Sequence, residues 1–263
     1  MIQALYTAAS GMLAQQMNVD TISNNLANVS TTGYKKTRVD FQDLLYHTIK
    51  PAGSPPTAPG VQAPVPIQIG EGVRPVATPR LFFQGEMVQT DNPLDIAVEG
   101  DGFFQVLQPD GSIGYTRDGS WKRDSTGRVV TSDGLPLEPE IVIPPDATQI
   151  VIGSNGEVSV TLPSSNTNEQ VGQIELARFI NSAGLHATGR NIFVTTEASG
   201  DVLTGVPGQE GFGKVTQGYL EQSNVKVVEE LVNMIVAQRA YEINSKAVQC
   251  SDDMLQAANN IRR

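Results

Sequence analysis

Two long stretches without helix breakers, one at each end, constrain this sequence more than anything else in it. From Ile2 to Val29 there is no Pro and Gly11 is the only Gly, and from Asn224 to Arg263 there is neither. In the first stretch Leu5, Met12, Val19 and Leu26 recur every seven residues, with Ala8, Ala9 and Ile22 between them, the spacing of a coiled-coil seam. In the second, one stripe runs Val227, Leu231, Met234, Gln238, Tyr241, Val248, Leu255, and another runs Ala240, Ile243, Ala247, Cys250, Met254, Ala257, Ile261. Two stripes on one helix require two sets of neighbours. At 1.5 Å per residue the helices would be roughly 40 Å and 55–60 Å long. Leu5, Met12, Val19 and Leu26 are expected to pair with Val227, Leu231, Met234 and Tyr241 within the chain. The stripe from Ala240 to Ile261 is expected to meet other copies.

The middle of the chain has a different character. Pro51, Pro55, Pro56, Pro59, Pro64 and Pro66 with Gly53 and Gly60 exclude a helix or a central strand, so this segment should be extended. From about Arg80 to Thr216 short β-favouring runs follow one another: 94–98, 102–107, 129–131, 141–143, 150–152, 158–162, 174–179 and 192–195. Turn signals such as Pro109-Asp-Gly111, Asp133-Gly134 and Asn155-Gly156 separate them. Short strands without helical intervals predict an antiparallel β domain. The expected fold is therefore α+β: long N- and C-terminal helices pairing as a coiled coil, with an inserted antiparallel β domain and an extended proline-rich segment. The boundaries read as a helix over 1–30, a linker over 31–80, the β domain over 81–216 and the second helix over 217–263.

Charge and composition set aside several functions. The 263 residues carry a formal net charge of −10, and their only compact basic cluster is Lys35, Lys36 and Arg38. Nucleic-acid binding is not expected without a basic footprint. One Cys and two His leave no metal site to expect. No apolar run reaches the ~20 residues of a membrane span, and the amino terminus lacks a basic segment before an apolar stretch, so neither membrane insertion nor a cleaved signal is expected. Charged residues are 17% of the chain against a usual ~25%. The missing polarity appears as 34 Asn and Gln, many on the terminal helices, among them Gln3, Gln15, Asn259 and Asn260.

No catalytic constellation emerges. Gly208 to Lys214 fits the start of a phosphate-binding loop, but Val215 stands where Ser or Thr should hold magnesium and no helix begins there. His47 and His186 lie beside no nucleophile motif, and Asp110, Asp118 and Asp133 each precede a turn glycine. Cys250 on an apolar stripe reads as a small hydrophobe. The run Asn24, Asn25, Asn28, Thr31, Gly33, Tyr34 is richer in amides than a helix cap needs, which suits a buried amide network at a helix contact. No catalytic residue, cofactor or metal ligand is assigned.

Ser10-Gly-Met-Leu-Ala14, Asn24-Asn-Leu-Ala-Asn-Val-Ser-Thr-Thr-Gly-Tyr-Lys35, Gly218-Tyr-Leu-Glu-Gln-Ser-Asn-Val225 and Gln238-Arg-Ala-Tyr-Glu-Ile-Asn-Ser-Lys246 together resemble the terminal signatures of the bacterial flagellar rod and hook family. Gly100-Asp-Gly-Phe-Phe-Gln-Val106 and Tyr115-Thr-Arg-Asp-Gly119 are similar to the start of that family's β domain. Ile69 to Ala77 and the chain length point to its distal-rod branch rather than to the longer hook proteins. The resemblance implies a non-enzymatic subunit of a hollow helical rod that crosses the periplasm, transmits torque from motor to hook and encloses the export channel. The partners it implies are further copies of the chain, proximal rod and hook proteins at the ends, the surrounding periplasmic and outer-membrane rings, and the flagellar type III export apparatus.

On this reading Leu5, Met12, Val19, Ile22 and Leu26 with Val227, Leu231, Met234, Tyr241, Ile243, Cys250, Met254, Leu255 and Ile261 are subunit-packing residues. Gln3, Gln15, Asn259 and Asn260 would line the channel. Tyr46 with Pro51, Pro55, Pro56, Pro59, Pro64 and Pro66 would form a stiffening strut. The alternatives are another axial protein of the family, or a carbohydrate-binding or hydrolytic β domain with helical oligomerisation arms.

Overall fold

The computed structural model describes residues 2–52, 64–163 and 165–261. The chain divides into two compact units. The first gathers 1–26, 37–79 and 227–263, and the second 27–36 and 80–226.

In the first unit, helix α1 spans Ile2–Ala27 and helix α2 spans Val227–Ile261. Glu229 and Glu230 in the first turn of α2 suit the positive end of its dipole. A Cβ on Gly11 would stand 2.9 Å from the Asn244 side chain, so this glycine lets α2 approach α1 closely. Further along, Gln16 and Val19 share a groove with Gln238, Tyr241 and Glu242. Numbers rise along α1 as they fall along α2, so the helices pair antiparallel.

The buried residues of α1 are Ala8, Ala14, Ile22 and Asn25, while Leu5, Met12, Val19 and Leu26 are half-buried. On α2, Glu230, Ala237 and Ser251 are buried and Met234, Asn244, Val248 and Leu255 half-buried, a four-and-three spacing that places them on one face. Val227, Leu231 and Tyr241, expected on this seam, stand 41%, 43% and 42% exposed. The buried face of α2 runs through 230, 234, 237, 244, 248, 251 and 255, and Val227, Leu231 and Tyr241 stand at its margin.

The proline-rich linker is more ordered than its composition suggests. Asp40–Asp43 pairs antiparallel with Val73–Ala77, and Tyr46–Lys50 pairs with Ile67–Gly70. The Tyr46 ring lies over Gly70. Pro51, Pro64 and Pro66 flank this ladder, and Pro55, Pro56 and Pro59 lie outside the described residues. Ser10 of α1 accepts a hydrogen bond from the Val73 amide, tying the ladder to the helix.

The second unit is all antiparallel β. Its principal sheet runs in the order His186–Gly189, Ile192–Val194, Ile113–Thr116, Phe103–Leu107, Leu176–Arg178, Leu203–Gly205, with Leu137–Glu138 also pairing to Phe103–Leu107. Because alternate side chains leave a strand on opposite faces, Phe103 and Phe104 enter different cores. Phe103 packs edge-on against Phe82, Phe179 and Phe193, and Phe104 edge-on against Trp121. Around Trp121 lie Ile96, Val98, Val106, Leu137, Ile141, Ile143 and Leu176.

A three-stranded sheet of Gln149–Ile152, Glu157–Leu162 and Ser165–Gln173 completes the larger elements. The run 141–143 forms only a single bridge, Arg128 to Val142, although Ile141 and Ile143 are buried. The β unit also extends past the expected boundary at 216: Lys214–Gln217 pairs with Ile96–Glu99, and Tyr219–Glu221 pairs with Met87–Gln89.

One side chain stitches two of these ladders. Gln217 accepts the Ile152 amide at 3.0 Å and donates to the carbonyls of Ile150 and Pro93 at 3.0 and 2.7 Å. Its amide serves Ile150 and Ile152 as a neighbouring strand would. Gln217→Ala should therefore lower the unfolding free energy of the β unit by about 1–3 kcal/mol, read by urea denaturation with Trp121 fluorescence.

Candidate functional site

A buried ion cluster inside the β unit joins residues too far apart in sequence for any local pattern to announce it. The turn after α1 brings Gly33 into the left-handed region at φ +68°, where its amide donates to the Glu221 carbonyl at 2.8 Å. A Cβ there would meet the Arg117–Asp118 backbone at 2.6 Å, so only glycine passes. Two residues on, Lys35 Nζ donates to Glu221 Oε1 at 2.6 Å and to the Phe83 carbonyl at 2.9 Å. Arg117 Nη1 lies 3.5 Å from Glu221 Oε2 and donates to the Val98 carbonyl. All three side chains are at most 3% exposed.

Burial pushes the Lys35 ammonium below its ordinary value; Glu221 opposes that shift and Arg117 adds to it. Burial lowers Arg117 too, against the pull of Glu221 and Asp101. Beside the cluster, Asn224 accepts the Lys36 amide and donates to the carbonyls of Leu81 and Phe83. Asn191 donates to the Thr32 carbonyl.

These contacts define what the amide and turn residues do. Asn25, buried, accepts the amide and hydroxyl of Thr37 and donates to its carbonyl. Thr31 donates to Asn28 Oδ1, Tyr34 is buried with Arg80 stacked on its ring, and Asn24 is exposed. Gly33 and Tyr34 thus anchor the end of α1 within the β unit, a role the helix-contact reading did not include.

The residues screened for chemistry are engaged elsewhere. In the loop before Lys214, the carbonyls of Glu210 and Gly211 receive Arg178, whose guanidinium also lies over Phe212. A cation occupies the place where a phosphate would need amide donors. Asp110 and Asp118 each accept an amide and a hydroxyl from the serine two residues on. His47 borders a groove with Ile2, Gln3, Tyr6, Ser10, Leu44 and Glu71. Among the described residues no group of His, Cys, Asp and Glu is placed to hold a metal, and no helix is long and apolar enough to cross a membrane.

The surface offered to other molecules lies on the helices. Val227, Leu231, Tyr241, Ile243, Cys250 and Met254 are exposed on α2, with Ile243 at 66%. Val228, Val232, Ile235 and Val236 extend that apolar surface. Gln3, Asn259 and Asn260 are exposed, Gln15 is half-buried, and the Ile261 side chain lies outside the described residues. On α1 the structure adds Ile2, Tyr6, Leu13 and Met17, exposed in a row at steps of four, seven and four. That spacing was present in the sequence beside the heptad of Leu5.

Helical arms with bare apolar faces around a β insert are the mark of an assembling axial protein, and sequence comparison agrees. Residues 5–35 match the flagella basal body rod protein model, 97–160 the D1 domain of flagellar hook protein FlgE/F/G, and 216–261 the C-terminal region of flagellar basal body rod FlgEFG protein. These place the chain among flagellar rod and hook proteins. Flagellar basal-body rod protein FlgG of Borreliella burgdorferi is 54% identical over all of both chains. FlgG of Caulobacter vibrioides is 47% identical over 99% of this chain and 100% of its own, and that of Bacillus subtilis 38% over all of both. The chain belongs to the FlgG family of flagellar basal-body rod proteins.

Lys35, Arg117 and Glu221 fall one in each matched segment, so a single ion cluster joins all three. Its charges sum to +1, and that asymmetry gives a test. Glu221→Gln leaves two uncompensated buried cations and should cost about 3–5 kcal/mol. Lys35→Met leaves the Arg117–Glu221 pair, with Phe83 still bonded by Asn224, and should cost at least about 1 kcal/mol less than Glu221→Gln. Urea unfolding of the two variants at pH 7 measures the difference.

Proposed function

We propose that this chain is a structural subunit of the flagellar distal rod, with copies stacking into a rigid hollow helical shaft that transmits torque from the motor to the hook. The observation that carries this reading is the pair of long terminal helices with bare apolar faces, in a chain collinear with FlgG relatives over its whole length. Buried helix seams and bare outer faces suit a heterologous contact, which propagates as a helical filament when its rotation does not close. In the proposed assembly the helices form the inner tube and the β unit the outer layer. Proximal rod and hook proteins adjoin the ends, and periplasmic and outer-membrane rings surround the shaft. The subunit reaches this periplasm-spanning position through the type III export apparatus.

Two finer assignments follow from residue chemistry. Gln3, Gln15, Asn259 and Asn260 line the channel, where uncharged amides retain unfolded cargo less than apolar or charged walls. Tyr46 to Pro66 stiffens the contact between copies, because proline fixes φ.

Concentrated protein should form straight filaments visible by negative-stain microscopy, and a density map of them should place those four amides on the lumen. A particle that stays a small oligomer would refute the rod reading, and burial of all four amides between copies would refute the channel assignment. Filaments of a variant lacking residues 46–66 should be measurably curved; unchanged straightness would count against the strut.

A further inference from the structure

The exposed row on α1 contains one charge, and it is the only charge on that helix: Asp20, which continues the series Tyr6, Ala9, Leu13, Met17. The outward stripe of α2 also contains one cation between Ala240 and Ile261, namely Lys246, amid Ile243, Cys250, Met254 and Ala257, with the exposed Asp253 one heptad further on. Among the described residues neither Asp20 nor Lys246 makes an ion pair, whereas Arg239 on the same stripe is held by Glu242 at 2.8 Å. An unpaired charge on a largely apolar helix face fixes partner and register when a neighbour supplies the opposite charge.

Resting on the reading of the chain as a self-assembling rod subunit, we propose that the outward face of α1 docks against the outward stripe of α2 in a second copy, with Asp20 paired to Lys246. Copies related by a screw rotation without reversal all point α1 one way and α2 the other, so this contact is antiparallel like the one within the chain. Setting Asp20 against Lys246 brings Met17 to Cys250, Leu13 to Met254 and Ala9 to Ala257. Large exposed side chains then meet each other and alanine meets alanine. The contact uses a different patch on each partner, so each copy keeps one free face of each kind and the array extends.

The single cysteine makes a direct test possible. Within one chain Met17 is level with the region of Gln238 to Tyr241, about ten residues or roughly 15 Å from Cys250, beyond disulfide reach. Filaments of Met17→Cys oxidised with diamide should therefore give a ladder of trimers and larger species on non-reducing gels. The Met17→Cys, Cys250→Ala variant and the unmodified chain should stop at dimers. Filaments that form but yield nothing above dimer would overturn this contact and leave the rod reading standing. Failure of the unmodified chain to form filaments would overturn both. Should Met17→Cys itself fail to assemble, the charges decide: Asp20→Lys and Lys246→Glu should each abolish filaments, and the double exchange should restore them to within about twofold of the unmodified yield. An exchange that does not restore assembly refutes the pairing.

Discussion

The β unit is organised around one carboxylate. Glu221 is buried, and it survives there because Lys35 and the Gly85 amide donate to its Oε1 while the Arg117 guanidinium stands 3.5 Å from its Oε2. A buried charge without such partners would be strongly unfavourable, so the positions of Gly33, Lys35, Gly85 and Arg117 are fixed together. Asn224 adds a second layer by holding Lys36 to the carbonyls of Leu81 and Phe83. The segment that leaves α1 is thereby built into the β unit rather than draped over it. The matched family segments, which read as three separate modules along the chain, share one electrostatic centre.

In the helical unit the economy is different. The buried side chains of the two helices are mostly small, Ala8, Ala14, Ala237 and Ser251 beside Ile22, Asn25 and Glu230, and bury little apolar area each. Apolar burial scales at about 25 cal/mol per Å², so a seam of this kind stabilises a pair only modestly. The larger side chains, Leu13, Ile235, Val236 and Ile243 among them, stand in water. A helix pair with weak internal packing and strong outward faces gains most of its stability from neighbours. The low charge of the chain belongs to the same arrangement, since a face destined for burial has little use for Lys or Glu.

Periodic features were legible in the sequence and long-range polar ones were not. The helices at 2–27 and 227–261 were visible because breaker-free length and heptad spacing are local properties. The strands around Phe103 and Val158 were visible for the same reason. Ser165–Gln173 escaped notice because it is almost wholly polar, and its pairing comes from backbone bonds to 157–162 rather than from side-chain pattern. Asp40–Asp43 and Val73–Ala77 escaped because proline and charge masked a short ladder. The Lys35–Glu221 pair joins residues 186 positions apart, and nothing local to either announces the other. On α2 the buried positions are Glu230, Ala237 and Ser251, none of them large and apolar, so hydrophobic periodicity does not single them out.

That separation has a kinetic side. Until residues near both ends of the β unit are present together, Lys35 and Arg117 have no counter-ion, Asn224 has no partner strand, and the segment from 27 to 36 has no seat. Closing a loop this long carries an entropic cost that local pairing does not share, so the hairpins of the β unit can form early while its centre waits. The clasp between Lys35 and Glu221 therefore closes only when the two ends of the β unit meet. One ion cluster thus sets both how the β unit is held together and which of its parts must come together last.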